Sequence, residues 1–178
     1  MTVDTSLIVF AEDASRRTEA EQLAAQWSVP WCDEIPAPFQ GLCVVLTAAG
    51  SELRTGVQPD RGGVQPAFAR EAVRATRQNP LVRAIGREVK TVVDATAGWG
   101  ADAFTLASLG YRVTAIERHP LLFWLLQDAW HRAPRVEGEL RFVHAEAKAW
   151  LAAMDERPDS VLIDPMFPPK KRATALAK

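Results

Sequence analysis

The stretch Thr91–Asp102 constrains this chain more than any other; it reads Thr-Val-Val-Asp-Ala-Thr-Ala-Gly-Trp-Gly-Ala-Asp. Three β-forming residues run into an acid, then into a loop punctuated by Gly98 and Gly100. Phe104-Thr-Leu-Ala-Ser-Leu109 follows with helical spacing and stops at Gly110. The pattern predicts strand, loop, helix. Glycines at such a turn let the backbone pass close to a ligand, and the next helix offers unpaired N–H groups. The loop is therefore a candidate nucleotide-type binding site.

The pattern repeats downstream. Arg112–Glu117 predicts a second strand, and His119-Pro120 opens a strongly apolar helix over Leu121–Trp130. Leu140–His144 predicts a third strand, Lys148–Met154 a short helix and Ser160–Asp164 a fourth strand, followed by a rigid Pro165–Pro169 loop. Alternating strands and helices imply a parallel sheet covered on both faces, an α/β Rossmann-like fold. Four strands make only part of a doubly wound sheet, so this domain, residues 69–178, is expected to be shortened at its C-terminus. It opens with a helix over Ala69–Arg77, then Asn79 and Pro80 as cap and first position of a helix Leu81–Ile85 closed by Gly86.

Residues 1–68 read as a small α+β domain. Leu7–Phe10, Leu42–Leu46, Glu52–Thr55 and Val64–Phe68 predict strands, and Ala14–Trp27 a helix. Ser28–Phe39 holds three prolines and reads as loop. Nothing in this part looks catalytic; Trp27 and Trp31 read as core or interface residues.

The net charge of −1 excludes a global attraction to nucleic acid, but the charge is unevenly spread. Residues 61–90 hold six Arg and one Lys against Glu71 and Glu88, a basic belt just before the glycine loop. Cys32 and Cys43 stand alone, without the spacing of a disulfide framework or a zinc site. No apolar run approaches the roughly 20 residues of a membrane span, and Met1–Phe10 is too short and acidic for a signal peptide. A cytoplasmic location is expected.

Three motifs could carry chemistry. In Asp94-x-x-x-Gly98-x-Gly100, three residues separate the strand-ending acid from the first glycine. Dinucleotide folds place that glycine almost directly after the strand, to seat a pyrophosphate. Here Asp94 sits where that anion would approach, which suits a cation such as the sulfonium and ammonium of S-adenosylmethionine. Gly98-Trp-Gly-Ala-Asp-Ala103 also satisfies G-x-G-x-x-A, so an NAD(P)-dependent oxidoreductase stays open. Glu117, ending the second strand, can accept both hydroxyls of a ribose. His144-Ala-Glu146-Ala147 places an acid where an adenine amine could be held; His144 itself reads as a strand-end residue. Finally, Ile163-Asp164-Pro165-Met-Phe167-Pro168 fixes a carboxylate and an aromatic relative to each other. Such a pair suits an exocyclic amine on a flat base turned out of its stack.

Together, Asp94–Phe104, Glu117-Arg118 and Leu162-Ile-Asp-Pro-Met-Phe-Pro168 resemble the RsmJ-type ribosomal RNA small-subunit methyltransferases. The resemblance runs from about Val92 to Lys171, and the strand Leu42–Thr47 fits the family's small front domain more loosely. It implies a class I S-adenosylmethionine-dependent fold and methylation of a guanosine N2 amine in 16S ribosomal RNA, naked or within the small subunit, without a metal. It also implies donor contacts at Ala101 and Asp102, Glu117 and Arg118, Glu146 and Ala147, and Asp164. This sequence departs from the family where Ala101 replaces an Arg and Glu146-Ala147 replaces two serines. On this reading Asp164, Pro165 and Phe167 are catalytic, and Asp94, Gly98 and Gly100 help seat the donor. Lys170, Lys171, Arg172 and the Arg70–Arg87 belt are candidate phosphate contacts. A non-catalytic RNA- or protein-binding relative is the other reading left open.

Overall fold

In a computed structural model, which describes residues 6–58, 60–86 and 88–165, two four-stranded sheets form, each from its own stretch of chain. The first contains β1 (Leu7–Ala11), β2 (Trp31–Cys32), β3 (Leu42–Thr47) and β4 (Gly50–Thr55), in the order β2-β1-β3-β4. β1 runs parallel to β2 and β3, and β3 pairs antiparallel with β4. A 3-10 turn (Ala14–Arg16) and α1 (Arg17–Trp27) cover one face of it.

Two expectations fail in this part. Ser28–Phe39 is not all loop, because Trp31–Cys32 adds an edge strand to β1. Val64–Phe68 is not a strand. Val64 makes one isolated bridge to Leu53, and Pro66 then removes an N–H donor that a ladder would need. Phe68 instead opens a helix and stacks on Phe104 with ring centroids 4.8 Å apart.

The second sheet contains β5 (Thr91–Asp94), β6 (Arg112–Glu117), β7 (Glu139–His144) and β8 (Ser160–Leu162), all parallel, in the order β7-β6-β5-β8. Its helices are α2 (Phe68–Arg74), α3 (Pro80–Ile85), α4 (Ala101–Ser108), α5 (Pro120–Trp130) and α6 (Ala147–Ala152). α3 begins as its sequence predicts: the Asn79 side chain accepts from the Leu81 N–H at 2.9 Å, and Pro80 needs no partner there. Asp159 ties the strand starts, accepting from the backbone of Lys90 and Thr91 at 2.9 and 2.8 Å.

α5 explains its own composition. Apart from Gln127 and Asp128, α5 is apolar from Leu121 to Trp130, so it must bury more than one face. Leu121 and Leu125 pack against Val9, Val44 and Leu46 of the first sheet. Leu126 and Ala129 pack against Phe68 and Phe104 of the second unit of core. The helix that follows β6 is thus the element shared by both sheets.

Candidate active site

β5 stops two residues short of its neighbour. Asp94 pairs with Ala115, whereas β6 and β7 continue to Glu117 and His144. The chain past Asp94 keeps climbing between its neighbours. Ala95 N–H donates to the Leu162 carbonyl at 2.9 Å and Ala97 N–H to the Ile116 carbonyl at 3.1 Å. Gly98 N–H then reaches the Glu117 carboxylate at 3.0 Å. The three residues that separate the acid from the first glycine therefore raise the turn to the level of Glu117 and leave Asp94 beneath it. Gly98 and Gly100 have φ of 53° and 74°, in the left-handed region that favours glycine. A Cβ on Gly100 would come within 2.7 Å of Leu126 Cδ2, whereas one on Gly98 would meet nothing closer than 3.8 Å. Gly100 is required by packing; a Cβ on Gly98 would make only an ordinary contact with the Thr96 carbonyl.

Four carboxylates gather at this rim. Asp94 is 2% exposed, and its Oδ1 accepts from the Thr96 N–H at 3.0 Å. Burial pushes its carboxyl up; the Thr96 hydrogen bond opposes this, and the negative charges of Asp102, Asp164 and Glu117 add to it, bringing it to about 6. Asp102, in the first turn of α4, is also raised, by burial first and then by Asp164 and Glu71. Glu117 is buried and accepts from Gly98 N–H and, at 2.7 Å, from His119 N–H. A carboxylate offers roughly four acceptor positions, so about two remain for hydroxyl donors. Among the described residues no Lys or Arg is one of the groups that shift Asp94 and Asp102. Such a rim attracts a cation. A pyrophosphate at the start of α4 would meet the Asp102 carboxylate, which removes the physical basis for the dinucleotide alternative.

The other residues singled out in the sequence lie along the same edge. Ala101 is the exposed first residue of α4. Arg118 pairs with Glu146 at 3.5 Å, and Ala147 starts α6. His144 is a strand-end residue: it stacks on Phe123 at 5.0 Å, and its Nε2 lies 3.1 Å from the Arg118 carbonyl. Asp164 is exposed and lies beyond β8, which ends at Leu162 rather than at Asp164 as expected. The ladder stops because the Asp164 N–H donates to Thr96 Oγ1 at 2.8 Å instead of to a neighbouring strand. Pro165 is exposed; Phe167, Lys170, Lys171 and Arg172 lie outside the described residues. Sequence reasoning missed Thr96, which caps Asp94 and ties β8 to the glycine loop. Its signal was the Asp-x-Thr spacing of a turn closed by an acid. Among the described residues no three His, Cys, Asp or Glu side chains could hold a metal ion, and no helix is long and apolar enough to cross a membrane.

A parallel sheet with a glycine turn and a carboxylate rim defines a class, the Rossmann-like methyltransferases that use S-adenosylmethionine, and comparison with known proteins agrees. The family described as "Putative SAM-dependent methyltransferase" matches residues 23–178. The ribosomal RNA small subunit methyltransferase J of Chromobacterium violaceum is 35% identical, over 98% of this chain and 73% of its own. That of Aeromonas hydrophila is 37% identical, over 96% of this chain and 72% of its own. The crystal structure of a SAM-dependent methyltransferase from Neisseria gonorrhoeae superposes with a TM-score of 0.71 at 27% identity, covering 90% of this chain and 70% of that one. The chain belongs to the ribosomal RNA small subunit methyltransferase J family, and S-adenosylmethionine is its cofactor. The residues present fit that group: buried and clustered carboxylates for a sulfonium and an ammonium, and free acceptor positions on Glu117 for a ribose.

Proposed function

We propose that this chain transfers a methyl group from S-adenosylmethionine to the exocyclic N2 amine of a guanosine in small-subunit ribosomal RNA. The observation that carries the reading is the rim itself, where Asp102, Glu117 and Asp164 surround the buried Asp94 closely enough for their charges to act on it beside the glycine turn. The names of the relatives support the ribosomal RNA substrate, and the resemblance of the Asp164–Phe167 loop supports the guanine amine. The working place would be the cytoplasm, with naked RNA or the assembled small subunit as partner.

S-adenosylmethionine supplies an electrophilic methyl on its sulfonium. The guanine amine is a weak nucleophile because its lone pair is delocalised into the ring, so the work of the protein is positioning and electrostatics. In this reading Asp164 accepts hydrogen bonds from the amine and aims its lone pair. Pro165 holds that carboxylate in place, with Thr96 fixing the backbone from behind. Phe167 stacks on the base. Asp94, Gly98, Gly100, Ala101 and Asp102 hold the amino-acid end of the donor. Glu117 takes its ribose, and Arg118, Glu146 and Ala147 border its base. Residues 1–68 form a front domain that braces α5, and 69–178 carry the transfer.

The test is transfer of a labelled methyl into unmodified small-subunit RNA, followed by digestion to nucleosides and mass spectrometry. The expected product is N2-methylguanosine. Asp164→Ala is expected to lower transfer about 100-fold or more while the circular dichroism spectrum is kept; unchanged turnover refutes the role. A label on another nucleoside refutes the N2 assignment. Donor binding without any transfer establishes the non-catalytic relative instead.

A further inference from the structure

The basic belt is not absorbed by the rim. After α2 ends, Arg77 and Gln78 turn towards α3, where Arg83 projects from the last turn. With Val82 and Tyr111 these residues line a groove of about 720 Å³. Among the described residues its polar lining is two guanidinium groups, one amide and one phenol, with no carboxylate. Among the described residues neither Arg77 nor Arg83 makes an ion pair, whereas Arg70 and Arg74 both lie on Glu71. Arg83 gains something from the C-terminus of α3, but that accounts for nothing at Arg77.

The groove also lies at the other end of the sheet from the chemistry. Tyr111 immediately precedes β6, and Glu117 ends it. Six residue steps separate the two, roughly 20 Å at about 3.3 Å per residue. Unpaired arginines in an open groove, with a phenol and an amide beside them, suit phosphate oxygens rather than a buried small molecule.

We infer that the Arg77–Arg83 groove is a phosphate-backbone docking site for the acceptor RNA, holding the strand or stem that flanks the target nucleotide while the base itself reaches the rim. This rests on the proposed RNA substrate and adds where that RNA is held. The site reads no sequence; it sets the register and supplies salt-dependent affinity.

The test pairs Arg77→Gln/Arg83→Gln with Arg77→Lys/Arg83→Lys in the full chain, using transcribed 16S ribosomal RNA as probe. The glutamine pair should raise KM for RNA and weaken direct RNA binding by about tenfold or more. The slope of log affinity against log salt should become shallower by roughly 1.4 to 1.8, as for two lost phosphate contacts. Its kcat at saturating RNA and its affinity for S-adenosylhomocysteine should stay as in the parent, which also shows that it is folded. The lysine pair, which keeps both charges, should restore most of the salt slope. Unchanged KM and salt slope in the glutamine pair overturn the inference, as does a loss confined to donor binding. If the parent methylates no RNA yet binds it with this Arg-dependent salt slope, the docking site stands and the proposed reaction falls.

Discussion

At the scale of single residues the decisive one is Asp94. Its carboxyl is held near 6, above its ordinary value of 3.8, first by burial and then by the carboxylates around it. A carboxyl raised by folding contributes stability that is present below about pH 4 and lost as pH rises through about 6. The uncharged Asn, which can still accept from the Thr96 N–H, removes that loss. Asp94→Asn is therefore expected to stabilise the ligand-free chain at neutral pH by about 1–3 kcal/mol. It should also weaken S-adenosylhomocysteine binding about tenfold or more. Thermal unfolding and calorimetry measure the two; a destabilised variant with unaltered affinity contradicts this role. The sequence showed this acid plainly, because a carboxylate after three β-formers stands out. The Asp-x-Thr spacing hinted at the Thr96 cap, but not at the bond from Asp164 N–H to Thr96 Oγ1, which depends on how far the loop climbs beside β6.

At the scale of elements, the glycine turn and α4 form one unit with α2 and α5. Gly100→Ala would push a Cβ to 2.7 Å from Leu126 Cδ2 and 3.2 Å from the Phe68 ring, at a φ of 74°. The expected cost is about 2–4 kcal/mol of stability, from overpacking and left-handed strain together. Gly98→Ala lacks the packing component and should cost less. A chemical denaturation series checks the order, and equal costs would show that Gly100 is not the packed glycine. β5, β6 and α5 were legible in the sequence because their apolar runs and caps are local signals. β2 and the start of α2 were not. Two residues of edge strand carry no periodicity, and Phe68 looks like a strand residue until Phe104 is beside it.

At the scale of the whole molecule, the first sheet holds α5, and α5 starts directly after the rim. Asp128 is the polar fastening. Its carboxylate accepts from Arg16 at 3.0 Å, Arg132 at 3.0 and 2.6 Å, and the Ser51 N–H at 2.9 Å. Burial pushes that carboxyl up, but Arg132, Arg16 and Ser51 outweigh burial and hold it below the usual carboxylate range. Asp128→Ala leaves the Ser51 N–H and Arg132 without their acceptor, while Arg16 keeps Glu19 and the Thr47 carbonyl, and should cost about 1–3 kcal/mol. Hydrogen exchange should then quicken in β4 and α5 together; protection unchanged in both contradicts the bracing role. None of this joint was legible beforehand, since Arg16, Ser51 and Asp128 meet only once both sheets exist. The proposed site is a rim of carboxylates that receives the positive charge of the methyl donor, and S-adenosylhomocysteine keeps the ammonium part of that charge. Calorimetric titration with S-adenosylhomocysteine from about pH 5 to pH 8 tests it most directly, since binding should draw on an ionised Asp94. The predicted result is affinity that rises through about pH 6 with release of a proton on binding, and no binding of NADH. Affinity independent of pH, or NADH bound as tightly as S-adenosylhomocysteine, would contradict it.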